Sequence, residues 1–213
     1  MEYAVRLEGV CKKFKEEQAL KGITHSFEKG NIHGIVGFNG SGKTVMFKCI
    51  CGFLRPEEGH IWVNGQEVGK DVDFPLSLGM IIENPGFLPR LTGLANLKRL
   101  AAINRVIKEQ EIRENIRKVG LDPDSSKKVG EYSLGMRERL GIAQALMEDP
   151  QLLILDEPFN GLDKRGAADV CALLSELKER GKTILLAAHN LANMEELCDT
   201  VCEMDAGVLT QIK

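Results

Sequence analysis

Eight consecutive residues, Gly37-Phe38-Asn39-Gly40-Ser41-Gly42-Lys43-Thr44, fill the pattern GxxxxGK[ST]. Such a loop binds polyphosphate: its glycines let successive amides turn inward on phosphate oxygens, Lys43 offers a cation to the β- and γ-phosphates, and the Thr44 hydroxyl suits Mg²⁺. A second group of reactive side chains follows Leu152-Leu153-Ile154-Leu155, where Asp156 and Glu157 stand together. Asp156 is placed to hold Mg²⁺ through its water shell, and Glu157 to orient or deprotonate a water attacking a γ-phosphorus. Two carboxylates with separate tasks make an ATPase rather than a binder. His189 ends the next apolar run, where an imidazole can hydrogen-bond the γ-phosphate or the attacking water. Finally, Ser133-Leu134-Gly135-Met136 opens a helical stretch through Leu146. A helix start attracts anions, although by itself this one equals an ordinary capped helix.

These groups need a scaffold that brings them to one place. Ile32 to Val36 reads as a buried strand and Val45 to Ile50 as a helix, so the phosphate loop lies between strand and helix N-terminus. Gln151 to Leu155 and Lys182 to Ala188 are apolar runs suited to strands covered on both faces. Between them Ala167, Val170, Cys171, Leu174 and Leu177 recur at helical spacing, and Gly181 stands where a left-handed helix end is wanted, which makes a βαβ crossover. Tyr3 to Glu8 alternates faces, and Ile61-Trp62-Val63 runs into the hairpin signal Asn64-Gly65, which predicts an antiparallel layer. From about Thr92 to Val119 the pattern is helical, with Ile112, Ile116 and Val119 on one face and Gly120 and Pro123 closing it. Two strands around Asp205-Ala206-Gly207 end the chain.

Composition narrows the classes further. A chain of 213 residues with 43% hydrophobic content buries one domain core. The formal net charge of −3 and the lack of a basic block argue against nucleic acid as a partner. No apolar run approaches the ~20 residues of a spanning helix, and Met1-Glu2-Tyr3 opens without a leader pattern, so a cytoplasmic location is expected. The six cysteines have no metal-site spacing and are expected to be reduced and mostly buried. His25, His33 and His60 have no partners in sequence and are expected to be structural.

Taken in order, these motifs resemble the nucleotide-binding subunit of an ABC transporter, and the resemblance spans essentially the whole chain. Ser133 to Met136 is similar to that family's signature, Asn160-Gly161-Leu162-Asp163 to its D-loop, and His189 to its switch histidine. The resemblance implies an α/β fold: a P-loop NTPase (RecA-like) core with an antiparallel β subdomain and a helical subdomain insertion. About 1–84 and 141–213 would form the core and about 85–140 the insertion. It also implies ATP and Mg²⁺ as ligands, with Phe14 stacking on adenine. Ser133 and Gly135 would meet nucleotide held by a second copy or paralogue in a head-to-tail dimer. The signature departs from the family form at Leu134 and Met136, where Gly and Gln are usual; hydroxyl and amide contacts are expected to survive.

A larger departure is Glu83, which stands where the family has a Gln near Mg²⁺. A carboxylate still accepts hydrogen bonds and reaches a metal-bound water, but it cannot donate and it adds negative charge. Glu83-Asn84-Pro85-Gly86-Phe87, Leu91-Thr92-Gly93 and the Tyr132 to Met136 stretch resemble transporters of bacitracin or lantibiotic-type peptides. The family implies a separate integral membrane permease, contacted through the 83–97 region, with the ATPase peripheral at the cytoplasmic face. Export is expected from the subfamily and from the lack of an importer-type regulatory domain after Ile212. The alternative is a soluble ABC ATPase acting on ribosomes or DNA. It is disfavoured because the chain holds neither two fused cassettes nor a coiled coil between P-loop and acids.

Overall fold

Strands that are apolar at every position need cover on both faces. The computed structural model, which describes residues 2–83, 85–189 and 194–213, shows how that cover is arranged. The chain runs β1 (Tyr3–Phe14), β2 (Glu17–Glu28), β3 (Ile32–Val36), α1 (Lys43–Ile50), β4 (Glu58–Val63), β5 (Gln66–Glu67), β6 (Leu78–Ile81), α2 (Gly93–Asn104) and α3 (Glu109–Lys118). It continues through α4 (Leu134–Leu146), β7 (Leu152–Asp156), α5 (Lys164–Glu179), β8 (Thr183–Ala188), α6 (Met194–Leu197), β9 (Thr200–Asp205) and β10 (Val208–Gln211). One sheet has the order β10-β9-β3-β8-β7-β6, parallel except for the edge strand β10. The other is antiparallel, β2-β1-β4-β5.

Side-chain alternation in the central strands divides the core in two. Leu152, Ile154, Leu185 and Ala187 pack with β1, β2 and α1, whereas Leu153, Leu155, Ile184 and Leu186 pack with α2 to α5. Each strand thus separates the antiparallel layer from the helical one, as period-two geometry requires. The β4-β5 hairpin turns on Asn64 (φ 49°) and Gly65 (φ 83°), the two left-handed residues that an Asn-Gly turn supplies.

The expected helix from Thr92 to Val119 is two helices. α2 ends where Arg105 turns left-handed (φ 58°) and its amide closes on Ala101 O, at 2.8 Å. α3 restarts after Lys108, whose amide donates to the Glu111 carboxylate at 2.8 Å. Ile103 and Val106, at the break, are exposed, so no core face spans it. Both outer ends match the sequence signals: Thr92 caps α2 through Ala95 N, and Gly120 is left-handed after α3.

His33 is buried with its ring nitrogens 2.7 Å from Thr200 Oγ1 and 2.8 Å from Glu28 O, a structural role. All six cysteines are free, and burial pushes the thiols of Cys49, Cys51 and Cys198 up to about 12. Among the described residues, no helix is long and apolar enough to cross a membrane.

Candidate active site

The loop from Gly37 to Thr44 joins β3 to α1 at the carboxyl edge of the parallel sheet, where ligands of open α/β sheets bind. Its glycines are required by close approach: a Cβ on Gly37 would lie 2.2 Å from Met204 O, and Gly42 has φ 114° with Ala19 O 2.7 Å from the same point. Helix α1 then begins with no side-chain cap and no acidic residue in its first turn, leaving its positive end to an incoming anion. The Lys43 ammonium is buried and donates to the carbonyls of Gly37 (2.6 Å) and Phe38 (3.2 Å). These loop carbonyls act as the counter-dipole of the ammonium. The Ser41 hydroxyl is also buried and has no hydrogen-bond partner among the described residues.

The strand order carries the acids to the same edge. β7 lies one strand over from β3, across β8, and delivers Asp156, whose Oδ2 accepts a hydrogen bond from the Thr44 hydroxyl at 2.6 Å. Burial raises the Asp156 carboxyl above its ordinary value, the Thr44 hydrogen bond pulls the other way, and the charge of Glu157 adds to the rise. Glu157 is left-handed (φ 55°), an uncommon conformation for a non-glycine residue, with its amide donating to Ala187 O at 2.9 Å. That turn points its carboxylate at His189, just past β8, whose Nδ1 is 2.9 Å from Glu157 Oε2. A carboxylate only accepts, so Nδ1 carries the proton.

A cleft of 330 Å³ joins these parts, running from Asp156 and Glu157 along Gly40, Lys43 and Thr44. Phe14, Glu17, Ala19, Phe38, Asn39, Ser41 and Gly42 also line it. Phe14 is half exposed there, with Lys12 Nζ 5.5 Å above its ring. A larger groove of 680 Å³ lies along α5 and α6 and contains none of these groups, so volume does not mark the site.

Five of the expected residues stand outside the cleft lining: Gly37, at the start of the loop, and His189, Ser133, Gly135 and Glu83. His189 reaches it only through Glu157. Ser133 caps α4, accepting from Met136 N at 3.2 Å, and Gly135 packs against the Gly161 carbonyl, so this helix start serves another surface. The Glu83 carboxylate, expected near the metal, is instead 2.6 Å from Lys48 Nζ on α1. That ion pair was not legible in the sequence; its one trace is that Lys48 falls a helical turn beyond Thr44. Also unforeseen was the seat of Leu134 on Gly161, where a Cβ would come within 2.5 Å of Leu134 Cγ.

Thr44 and Asp156 fit Mg²⁺, which is usually held by one or two protein oxygens with water and phosphate completing the shell. No larger cluster of His, Cys, Asp and Glu suited to a metal occurs among the described residues. Comparison with known proteins agrees with this chemistry. Residues 20–160 match the ABC transporter family. The ABC transporter ATP-binding protein YybJ of Bacillus subtilis is 42% identical, over 94% of this chain and 92% of that protein. The bacitracin transport ATP-binding protein BcrA of Enterococcus faecalis is 37% identical, over 99% of this chain and 69% of that protein. The structure of cbiO1 from Clostridium perfringens, part of the ABC transporter complex cbiONQ, superposes with a TM-score of 0.82 at 26% identity, covering 99% of this chain and 88% of that one. With an α/β P-loop NTPase fold and these matches together, the chain belongs to the ABC transporter family and is an ATP-binding subunit, an ATPase.

Proposed function

We propose that this ATPase powers the export of an antimicrobial peptide or drug through a separate membrane permease, working as a head-to-tail pair at the cytoplasmic face. One observation carries the dimer: the cleft holds a phosphate loop, two acids and a histidine, yet the second anion-attracting helix start, at Ser133, does not line it. Each nucleotide would sit between Lys43 of one copy and Ser133 and Gly135 of the other, with Phe14 stacked on the adenine. Thr44 and Asp156 would hold Mg²⁺, which would offset charge on the phosphate oxygens. Lys43 leaves its loop carbonyls for those oxygens. Glu157 takes the proton of the attacking water, and His189 keeps that carboxylate turned toward it. The Glu83 carboxylate is engaged by Lys48, so it would be free for a metal-bound water only on giving up that ion pair.

In this reading about 1–84 and 141–213 form the catalytic core and about 85–140 a helical subdomain whose entry, from Glu83 to Leu97, meets the permease. Support for a peptide or drug cargo comes from the likeness to a bacitracin transport protein, and for a membrane partner from the likeness to a component of a transporter complex. Glu157→Gln is expected to form a stable dimer with Mg·ATP in analytical ultracentrifugation; a monomer throughout overturns the paired site. Charge reversal at the exposed Arg90 is expected to abolish co-purification with the permease while ATP binding persists. Unaltered co-purification rejects that contact.

A further inference from the structure

Three carboxylates reach the same sheet edge, and only two of them have a task assigned. β6 runs parallel to β7 with Ile81 in register with Leu155, so Glu83 leaves the sheet beside Asp156 and Glu157. An anionic side chain at this place opposes an incoming triphosphate unless it is neutralised. Lys43 cannot serve, because its buried ammonium is held by Gly37 and Phe38. Lys48 does: it projects from α1 one turn past Thr44 and ends 2.6 Å from Glu83 Oε1. Glu83 is left-handed (φ 60°), so its backbone already departs from the ordinary path to bring the carboxylate to α1. The pair is not a stabilising device of note. Glu83 is 63% exposed and Lys48 29%, and exposed pairs of this kind contribute little to folding.

We propose that Lys48 is a positioning residue: it draws the Glu83 carboxylate onto α1 and neutralises it while no metal is bound, which keeps the cleft open to a triphosphate. The inference rests on the Mg·ATP site proposed above. Without Lys48 the freed carboxylate repels the phosphates, and Mg²⁺ offsets part of that repulsion. Loss of the lysine therefore weakens metal-free ATP binding most and makes binding more dependent on Mg²⁺.

The test is a double-mutant cycle of Lys48→Met and Glu83→Gln, read by titration with trinitrophenyl-ATP in EDTA and in Mg²⁺. Lys48→Met is expected to weaken binding roughly five- to tenfold in EDTA and less in Mg²⁺. In the Glu83→Gln background the same change is expected to move affinity less than about twofold, and Lys48→Arg to restore most of the loss. Equal losses in both backgrounds, or none in either, overturn the inference. Thermal melting of Lys48→Met, expected to match the parent, separates a positioning effect from unfolding. Lys43→Ala is the control for the site itself: if it still binds the probe, the proposed cleft is wrong, whereas if it loses the probe and the cycle is flat, only the role of Lys48 falls.

Discussion

Helices α1 and α4 both begin at points suited to anions, yet they differ in how much of a binding site each supplies. α1 starts uncapped after Gly42, with a lysine curled onto its loop and a threonine hydrogen-bonded to Asp156. α4 starts with its amide at Met136 already satisfied by Ser133 and packed on the turn that holds Gly161. The first end is built to receive phosphate. The second is a finished helix cap that gains chemistry only if another molecule brings phosphate to it. One surface is a site and the other half of one, which is why a monomer with every motif is expected to bind ATP and to hydrolyse it slowly.

The most severe way to probe the first end is to remove its base. Glu157→Gln is expected to lower steady-state phosphate release by roughly 10³-fold, the scale of a lost general base, while ATP binding persists. Lys43→Ala is expected to lower ATP affinity roughly 100-fold by calorimetry, since the only cation in the loop is gone. At the second end Ser133→Ala is expected to cost about 1 kcal/mol of stability through the lost cap, measurable by urea unfolding. It should also weaken the ATP-driven dimer of Glu157→Gln, yet reduce binding by the monomer far less than Lys43→Ala does. Equal effects of Ser133→Ala and Lys43→Ala on the monomer would erase the contrast between the two helix starts.

The smallest effect sharpens it. Asp156 has its native carboxyl pKa raised by burial, so the folded protein holds that proton to higher pH than the unfolded chain does. Its cost to stability is therefore absent in acid, below the unfolded value, and fully present above the raised one. Asp156→Asn is expected to raise the melting temperature of nucleotide-free protein at neutral pH by a few degrees, with the difference vanishing in acid. A constant difference across pH would assign the effect to packing instead.

The strands and their faces were legible because burial on two sides demands apolar runs, and β3 from Ile32 to Val36 falls where its residues indicate. The split between α2 and α3 was not, since Arg105 carries no signal of a left-handed end and only the exposure of Ile103 and Val106 shows that no partner required a continuous helix. The phosphate loop, the paired acids and His189 were readable as types at fixed spacings. The pairing of Glu83 with Lys48 was not, because 35 residues separate them and charge alone does not choose a partner across that span.

By itself, then, the order of residues determined which groups are present and the local geometry each must adopt, as the glycines at 37 and 42 illustrate. Tertiary structure alone decided which of them meet. Sheet order places β8 beside β3 and β7 beside β8, so that Thr44 touches Asp156 and His189 touches Glu157, while Ser133 is carried away on α4. The reason is physical: backbone propensity and hydrophobic period act over a few residues, whereas hydrogen bonds between strand ends are set by the register of strands, across 32 positions for Glu157 and His189 and 112 for Thr44 and Asp156.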